Sequence, residues 1–287
     1  MSEQTVPDPT VPVPLGQTRL RAFAYDRRGA WLTRTGECAD PDLAEEFHEA
    51  SKIDRLVPGQ ALGPAGPLLV TTDAAFALGR KALTTAGPAV PLPPAEPIPV
   101  DLAEVTARRR SGLPDDAGPI DLDELGSVLA LSAGASPTHP GLRVTPSGGA
   151  MYPLDVLVIA HRVTGLEPGG YHYDPIAHAL RPRGELDPAA FHDSVGTGYT
   201  PPQPAVTLAL VATFARSRAK YGLRGYRFAL MESGHIAQAV LTVATALGLA
   251  ALPWGGFADT EVDRLLDLDG VDRGTVYLVA LSGTGRS

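Results

Sequence analysis

Hydrophobic residues recur at helix or strand spacing over most of the chain, and one proline-rich stretch divides the predicted elements into two groups. Residues 87–100 contain six prolines, which regular helices and central strands do not accept. We therefore interpret this stretch as an extended linker and expect a domain boundary near residue 95. Ahead of it the patterns predict a β-hairpin, a helix and a short strand, at residues 19–35, 40–53 and 68–72.

Behind the linker, longer apolar runs predict the core of a larger domain. Helical spacing predicts helices at residues 102–110, 121–133 and 226–249. Apolar and β-branched runs predict strands at residues 154–161, 206–214 and 275–281, and a hairpin over 170–182. Because strands alternate with helices, we expect an α/β or α+β sandwich. The longest apolar run, residues 236–254, carries Gln238, Thr242 and Thr245, so it predicts a buried core helix rather than a membrane span.

Composition narrows the classes of function. The net charge of −8 and the pI of about 5.3 disfavour a general nucleic-acid binder, which would more often be basic. Cys38 is the only cysteine, so neither an intrachain disulfide nor a cysteine metal site can form. The first residues lack the basic start and apolar core of a signal peptide. We expect a soluble, cytoplasmic protein with no metal site and no membrane contact.

Four short segments carry candidate chemistry, and each has a plainer structural interpretation when it is taken alone. They are Arg108-Arg109-Arg110-Ser111, the string from Arg143 to Pro153 (RVTPSGGAMYP), Lys220-Tyr221-Gly222, and the run from Gly248 to Phe257 (GLAALPWGGF). An arginine run supplies paired donors to a phosphate or carbonyl, or forms a solvated basic face. Adjacent glycines let a backbone approach a ligand closely, or simply form a turn or a helix cap.

The Lys220-Tyr221 pair also admits two interpretations. A lysine ammonium beside a tyrosine favours loss of the phenolic proton, so the pair can act as a base or proton relay. The alternative is an exposed lysine next to a packed tyrosine. Neighbours in an extended strand point to opposite sides, so cooperation requires a turn, with which Gly222 is consistent. No nucleophile elbow and no glycine fingerprint for a nicotinamide dinucleotide is present.

Taken together, residues 105–286 resemble the SagB-type dehydrogenases of the nitroreductase superfamily. These flavin mononucleotide (FMN) enzymes oxidise azolines to azoles in peptide natural-product pathways. The resemblance is carried by the PSGGAMYP string, by the Lys-Tyr pair and by the following helix YRFALMESGH, residues 226–235. It is supported more weakly by FHEASK at residues 47–52. It implies an α+β, nitroreductase-like fold at residues 96–287, in which helices wrap a mixed central sheet, and a homodimer with FMN between the subunits. Residues 1–95 would then form a small accessory domain that docks a peptide or a partner enzyme.

The resemblance also assigns roles to individual residues. It implies that Lys220 and Tyr221 are catalytic. It implies an FMN site made by Arg109, Arg110, Ser111, Pro146, Ser147, Gly148, Gly149, Met151, Pro253, Trp254, Gly255, Gly256 and Arg286. Leu113 stands where the family usually has a basic residue, which puts the details of phosphate binding in question. We assign no role to Glu232 or Gln238, and we expect His235 to pack or hydrogen-bond rather than to catalyse.

The implied reaction is dehydrogenation of a thiazoline or oxazoline ring in a precursor peptide, with a cyclodehydratase as a possible partner enzyme. One ring carbon would lose a proton to the Lys220–Tyr221 pair, and the other would deliver a hydride to FMN. Three alternatives stay open. They are another flavin dehydrogenase of the same fold, a nicotinamide-driven nitro or quinone reductase, and a non-catalytic peptide-binding scaffold.

Overall fold

The computed structural model describes residues 43–52 and 87–284. The first range belongs to one compact unit, Met1–Pro58, and the second to another, Gly59–Ser287. Within the first unit, helix α1 (Leu43–Ala50) confirms the helix predicted there. The predicted hairpin at 19–35, the predicted strand at 68–72 and Arg286 lie outside the described residues. The boundary near residue 95 stays a prediction, and the proline-rich stretch at 87–100 lies within the second unit.

The second unit combines six helices and nine strands among its described residues. The helices are α2 (Leu102–Arg108), α3 (Leu122–Ala133), α4 (Pro188–Ser194), α5 (Phe214–Tyr221), α6 (Arg224–Ala246) and α7 (Asp259–Leu265). The strands are β1 (Val90–Pro91), β2 (Ile120–Asp121), β3 (Leu154–Ala160), β4 (Val163–Thr164), β5 (Gly169–Asp174), β6 (Ala179–Pro182), β7 (Val206–Thr213), β8 (Leu249–Trp254) and β9 (Arg273–Gly283). Every helix, strand and hairpin predicted behind residue 100 therefore exists with shifted ends, except the core helix expected over residues 236–254.

Seven strands form one sheet in the order β1-β6-β5-β3-β7-β9-β8. Among the described residues every pair in this sheet is antiparallel, and the one parallel pair, β2 with β4, forms a separate small sheet. The α+β class is confirmed, but the expected mixture of strand directions is not found within the central sheet. The reason is the order of the strands. The helical connection α5–α6 makes β8 run parallel to β7, but β9 lies between them.

Helices cover both faces of the sheet, as the alternation of side chains along β3 requires. Val156 and Val158 pack with α3 and α6 in the larger core cluster, whereas Leu157 and Ile159 pack with α4 and α7 in a second cluster. Helix α3 begins with a capping box between Asp121 and Glu124, which satisfies backbone donors in its first turn. No helix among the described residues is long and apolar enough to cross a membrane.

The sequence predicted one buried helix over the long apolar run at residues 236–254. The structure has a helix followed by a strand there instead. Helix α6 ends at Ala246, Gly248 takes the left-handed conformation with φ of +76°, and β8 begins at Leu249. Pro253 lies within β8, and a strand accepts proline there because β8 is the last strand in the order of the sheet. At the opposite edge, the proline-rich stretch contributes β1, and Leu92 is buried in the core.

Candidate functional site

The loop before β3 has an unusual backbone. Gly149, Ala150 and Tyr152 all have positive φ, at 63°, 54° and 43°. Alanine and tyrosine rarely adopt this region, and residues held there cost free energy that the surrounding structure must offset. Such strain is concentrated at active sites and ligand clamps. This loop, PSGGAMY at residues 146–152, is therefore a candidate site on geometry alone.

Side chains within and around the loop hold it in this shape. The backbone N–H of Tyr152 donates to Ser147 Oγ at 2.9 Å, which closes the loop on itself. The backbone N–H of Arg143 donates to Tyr152 Oη at 3.0 Å, and the guanidinium of Arg143 lies 4.8 Å from the centre of the Tyr152 ring. Met151 is fully buried, and Pro146 is exposed. The side chain of Met151 thus anchors the loop in the core.

Lys220 and Tyr221 are the last two residues of α5, directly against this loop. Gly222 follows them with φ of +55° and its N–H donates to Arg218 O, so it ends the helix. A methyl group placed on Gly149 would overlap the Tyr221 hydroxyl and would lie 2.9 Å from Lys220 Nζ. Lys220 Nζ itself lies 5.3 Å from the centre of the Tyr221 ring. The two side chains therefore converge on one backbone position, although they occupy a helix end rather than the expected turn.

Phe228 on α6 completes this contact. Its ring lies edge-on to that of Tyr221 with centroids 5.0 Å apart, and a Cβ on Gly148 would lie 3.1 Å from its Cδ2. The two glycines thus pack against three side chains of α5 and α6. Three of the predicted segments, the PSGG string, the Lys-Tyr pair and the helix behind it, meet here.

A buried ion pair fastens α5 to the start of β3. Arg216 Nη1 donates to Asp155 Oδ1 at 3.0 Å and to the carbonyl oxygen of Tyr152 at 3.3 Å. His172 Nε2 lies 3.7 Å from the same carboxylate oxygen. Burial alone would raise the pKa of Asp155, but His172 and Arg216 outweigh it and lower the pKa. Arg216 lies one turn before Lys220, so this pair positions the helix that carries the Lys-Tyr pair.

Glu232 lies under the loop from the side of α6. It is 3% exposed, its Oε2 has no hydrogen-bond partner, and its carboxyl group hydrogen-bonds Ser147. Burial raises its pKa to about 7, although Ser147 and the positive charges of Arg143 and Arg216 act in the opposite direction. A buried carboxyl group with a displaced pKa beside a strained loop is typical of a functional site.

Trp254, the last residue of β8, fixes the shape of the turn that follows the strand. Trp254 is buried, and its Nε1 donates to the carbonyl oxygen of Gly256 at 3.0 Å. Gly255 and Gly256 are exposed, and a Cβ on Gly256 would meet no atom within 4 Å. Space of this kind lets a ligand approach the backbone N–H groups directly.

The arginine run begins at Arg108, the last residue of α2, and is exposed or half-buried. Arg109 Nη1 donates to Ser111 Oγ at 3.1 Å, and Arg110 Nη1 donates to the carbonyl oxygens of Ala107 and Arg109. The N–H of Gly112 donates to Ala251 O at 3.0 Å, which ties this segment to β8. No acidic side chain among the described residues pairs with Arg109 or Arg110, so both guanidinium groups are accessible to an anion.

The strand directions place two of the segments at one end of the sheet. β3 begins and β7 ends at the same side because the two strands pair antiparallel, so the PSGGAMY loop and helix α5, which carries the Lys-Tyr pair, are attached there. β8 runs toward the same side but ends earlier, since Trp254 pairs with Leu278 of β9, which pairs with Ala209 in the middle of β7. The structure thus brings the loop and the Lys-Tyr pair together, whereas the Gly255-Gly256 turn follows β8 and the arginine run is tied to β8.

The family comparison agrees with this architecture. Residues 107–284 match the model of the nitroreductase family. The chain belongs to the nitroreductase family. Its resemblance to the SagB-type dehydrogenases of that superfamily is also confirmed by a curated relative: a 149-residue segment is 34% identical to the microcin B17-processing protein McbC of Escherichia coli. That segment covers 49% of this chain and 54% of McbC.

Other relatives extend over more of their own length. MJ1384 of Methanocaldococcus jannaschii, assigned as a nitroreductase, is 34% identical over 173 residues, which are 59% of this chain and 85% of MJ1384. Among solved structures, a Ralstonia eutropha protein assigned as a nitroreductase aligns with a TM-score of 0.61 and 21% identity, over 72% of this chain and 97% of that protein. A chain of the E. coli microcin synthetase complex McbBCD, solved with truncated pro-MccB17 bound, aligns with a TM-score of 0.58 and 22% identity, over 89% and 98%. These structural likenesses establish the fold.

The sequence interpretation missed residues that organise the site from behind. Asp155 interrupts an otherwise apolar strand, and a buried charge there was the available signal for the Arg216 pair. Glu232 was noticed but given no role, because only the fold brings it to Ser147. His235 was expected to pack or hydrogen-bond, but it is exposed on α6.

Proposed function

We propose that this nitroreductase-family oxidoreductase is an FMN-dependent dehydrogenase that oxidises thiazoline or oxazoline rings of a precursor peptide to azoles. One observation carries the proposal. Lys220 Nζ and the Tyr221 hydroxyl converge on the backbone of Gly149, in the loop that the SagB-type resemblance assigns to the flavin. A dehydrogenation that makes a ring aromatic needs a proton acceptor beside the electron acceptor, and the Lys-Tyr pair is available for that role.

The residues present fit FMN. Gly256 leaves open space above a backbone turn, and Arg109 and Arg110 carry guanidinium groups without an acidic partner among the described residues. Arginine forks bind phosphate well, and exposed N–H groups stabilise negative charge on a ring edge. We assign the phosphate to Arg109, Arg110 and Ser111, and the ring to the loops at 146–151 and 253–256, with Arg286 as a further candidate for the phosphate. When bound, FMN supplies the two-electron acceptor.

The chain's own residues then have distinct tasks. Lys220 and Tyr221 take the proton from the substrate carbon. Arg216 positions their helix through Asp155, and Glu232 with Ser147 holds the loop against them. Preorganisation of this kind contributes to catalysis because the reacting groups need not be reordered in each turnover.

A peptide substrate and a multi-protein setting are supported by two relatives. McbC is a microcin B17-processing protein, and the McbBCD complex was solved with a truncated precursor bound. We infer by analogy a precursor peptide as substrate and a cyclodehydratase as partner enzyme. We also infer a homodimer, because Leu223, Leu230 and Met231 expose apolar side chains at and along the first half of α6. MJ1384 supports the alternative, a nitroreductase of the same fold.

The proposal is tested by cofactor identification followed by turnover of an azoline peptide. We expect purified protein to release about one FMN per chain. We expect Lys220→Ala and Tyr221→Phe to keep FMN while azole formation falls by about a hundredfold or more. Arg218→Ala, an exposed residue in the same turn of α5, serves as the matched control and should leave turnover unchanged. Full turnover by both variants of the pair would contradict the catalytic assignment.

A further inference from the structure

A second site candidate lies on the other face of the sheet. A cavity of about 300 Å³ is enclosed by β3, β5, the residues after β6 and the end of α7. Its walls include Leu157 and Ile159, which belong to the core cluster opposite α3 and α6. None of the residues assigned to FMN or to proton transfer lines it. Its volume is at the lower end of the range for small-molecule sites.

Two arginines line this cavity, together with the exposed residues Glu185 and Asp267. Arg183 follows β6, and Arg273 begins β9. Arg183 Nη1 and Arg273 Nη2 are both buried and have no hydrogen-bond partner. Arg183 Nη2 donates to the carbonyl oxygen of Leu266 at 2.8 Å, which fixes the guanidinium at the cavity wall. Among the described residues, neither arginine has a carboxylate within 4.0 Å.

The electrostatics of the pair favour an anion. Burial lowers the pKa of Arg183, and the charge of Arg273 lowers it further. Asp267 and Asp155 act in the opposite direction, but neither forms an ion pair with Arg183. Two like charges brought together and partly desolvated cost free energy, which a bound oxyanion would offset by accepting from both unpartnered N–H groups.

The remaining walls define the rest of the ligand. Leu157, Leu186 and Leu266 present apolar surface to the same cavity. A ligand that suits both the arginines and the leucines carries an oxyanion at one end and a short apolar body at the other. A cavity of about 300 Å³ limits that body to a few carbon atoms.

We propose that this cavity binds a small organic carboxylate, with its oxyanion on Arg183 and Arg273 and its apolar body against the three leucines. The site is separate from the proposed FMN site and does not depend on the proposed function. Binding or failure to bind there can be measured whether or not the protein oxidises azolines.

Titration calorimetry on the full chain tests the proposal with three matched probes: hexanoate, acetate and 1-hexanol. We expect hexanoate to bind saturably at one site, and acetate and 1-hexanol, which each lack one half of the ligand, to bind at least about tenfold more weakly. Arg183→Gln and Arg273→Gln should each weaken hexanoate by about tenfold or more. Arg181→Gln is the control, since Arg181 pairs with Asp174 and does not line the cavity.

Three results would overturn the proposal: no hexanoate binding by the wild type, equal binding of 1-hexanol, or unchanged binding by both cavity variants. Circular dichroism and thermal melting show whether the arginine variants fold. If they do not, Leu186→Trp provides the test, because it fills the cavity from a half-buried position and leaves both charges in place. Loss of hexanoate binding by that folded variant supports the site, and wild-type affinity contradicts it.

Discussion

Gly149 and Tyr221 are in such close contact that a single methyl group on the glycine would overlap the tyrosine hydroxyl. The contact joins the strained loop before β3 to the end of α5. It explains why a glycine is needed here on two grounds, the absence of a side chain and a φ of +63°. The loop and the Lys-Tyr pair therefore form one structural unit.

Gly149→Ala should disrupt the contact between the loop and the Lys-Tyr pair. The left-handed backbone costs alanine about 1–2 kcal/mol, and the methyl group must displace Tyr221 or the loop. We expect azole formation to fall by about a hundredfold, because displacement of a reacting group by about 1 Å has effects of that size. Steady-state turnover and thermal melting measure both effects. Gly184→Ala, at an open position away from the loop, is the control, and equal activity of the two variants would refute the contact.

Gly256→Ala should weaken FMN binding without destabilising the fold. A Cβ at this position meets no protein atom within 4 Å, so the free energy of unfolding of the cofactor-free protein should hardly change. The added methyl group would instead occupy space that we assign to the flavin. We expect FMN to bind at least about tenfold more weakly, as fluorescence titration would show. Wild-type affinity for FMN would mean that this turn does not face the cofactor.

Glu232 gives the protein a specific dependence of stability on pH. Its pKa is raised from 4.5 to about 7 in the fold, so the unfolded chain loses this proton first as pH rises. Its contribution to stability is fully present below pH 4.5 and is lost as pH rises through 7. Glu232→Gln cannot ionise and should escape this loss. Between pH 4.5 and pH 8, the free energy of unfolding of Glu232→Gln should therefore rise by roughly 3 kcal/mol relative to that of the wild type.

Urea unfolding of both proteins across this pH range measures that difference, in which the other titrating groups largely cancel. Glu261→Gln, an exposed carboxylate paired with Arg264, is the matched control and should follow the wild type. If Glu232→Gln follows the wild type as well, the carboxyl group of Glu232 is ionised in the fold and the assignment is wrong.

Some helices and strands could be predicted from their own apolar pattern, whereas others are determined by contacts with distant residues. β3 and β7 are mostly apolar runs, buried on both faces, and their patterns were sufficient. Helix α5 (FARSRAKY) has no apolar stripe, because its buried face includes Arg216, whose charge pairs with Asp155 on β3. Strand β8 continues the apolar run of α6 and contains Pro253, so only its place at the sheet edge distinguishes it from the helix.

The same distinction holds for the site. The PSGG string, the Lys-Tyr pair and the Gly255-Gly256 turn were identified as segments because their residue types carry chemistry. The contact between the PSGG string and the Lys-Tyr pair follows from strand order, which no local pattern encodes. Asp155 left a signal, a charge within an apolar strand, but its partner Arg216 did not. The role of Glu232 and the cavity lined by Arg183 and Arg273 depend on long-range packing, which pattern analysis cannot supply.

The most direct test of the central claim is an anaerobic single-turnover experiment with the FMN-loaded protein. A thiazoline peptide is added without oxygen, and the flavin absorbance and the peptide mass are followed together. We predict that the flavin is reduced and that the peptide loses two hydrogen atoms per ring, with no nicotinamide present. A flavin that stays oxidised with the peptide but is reduced by NADH or NADPH would contradict the account and identify a nicotinamide-driven reductase.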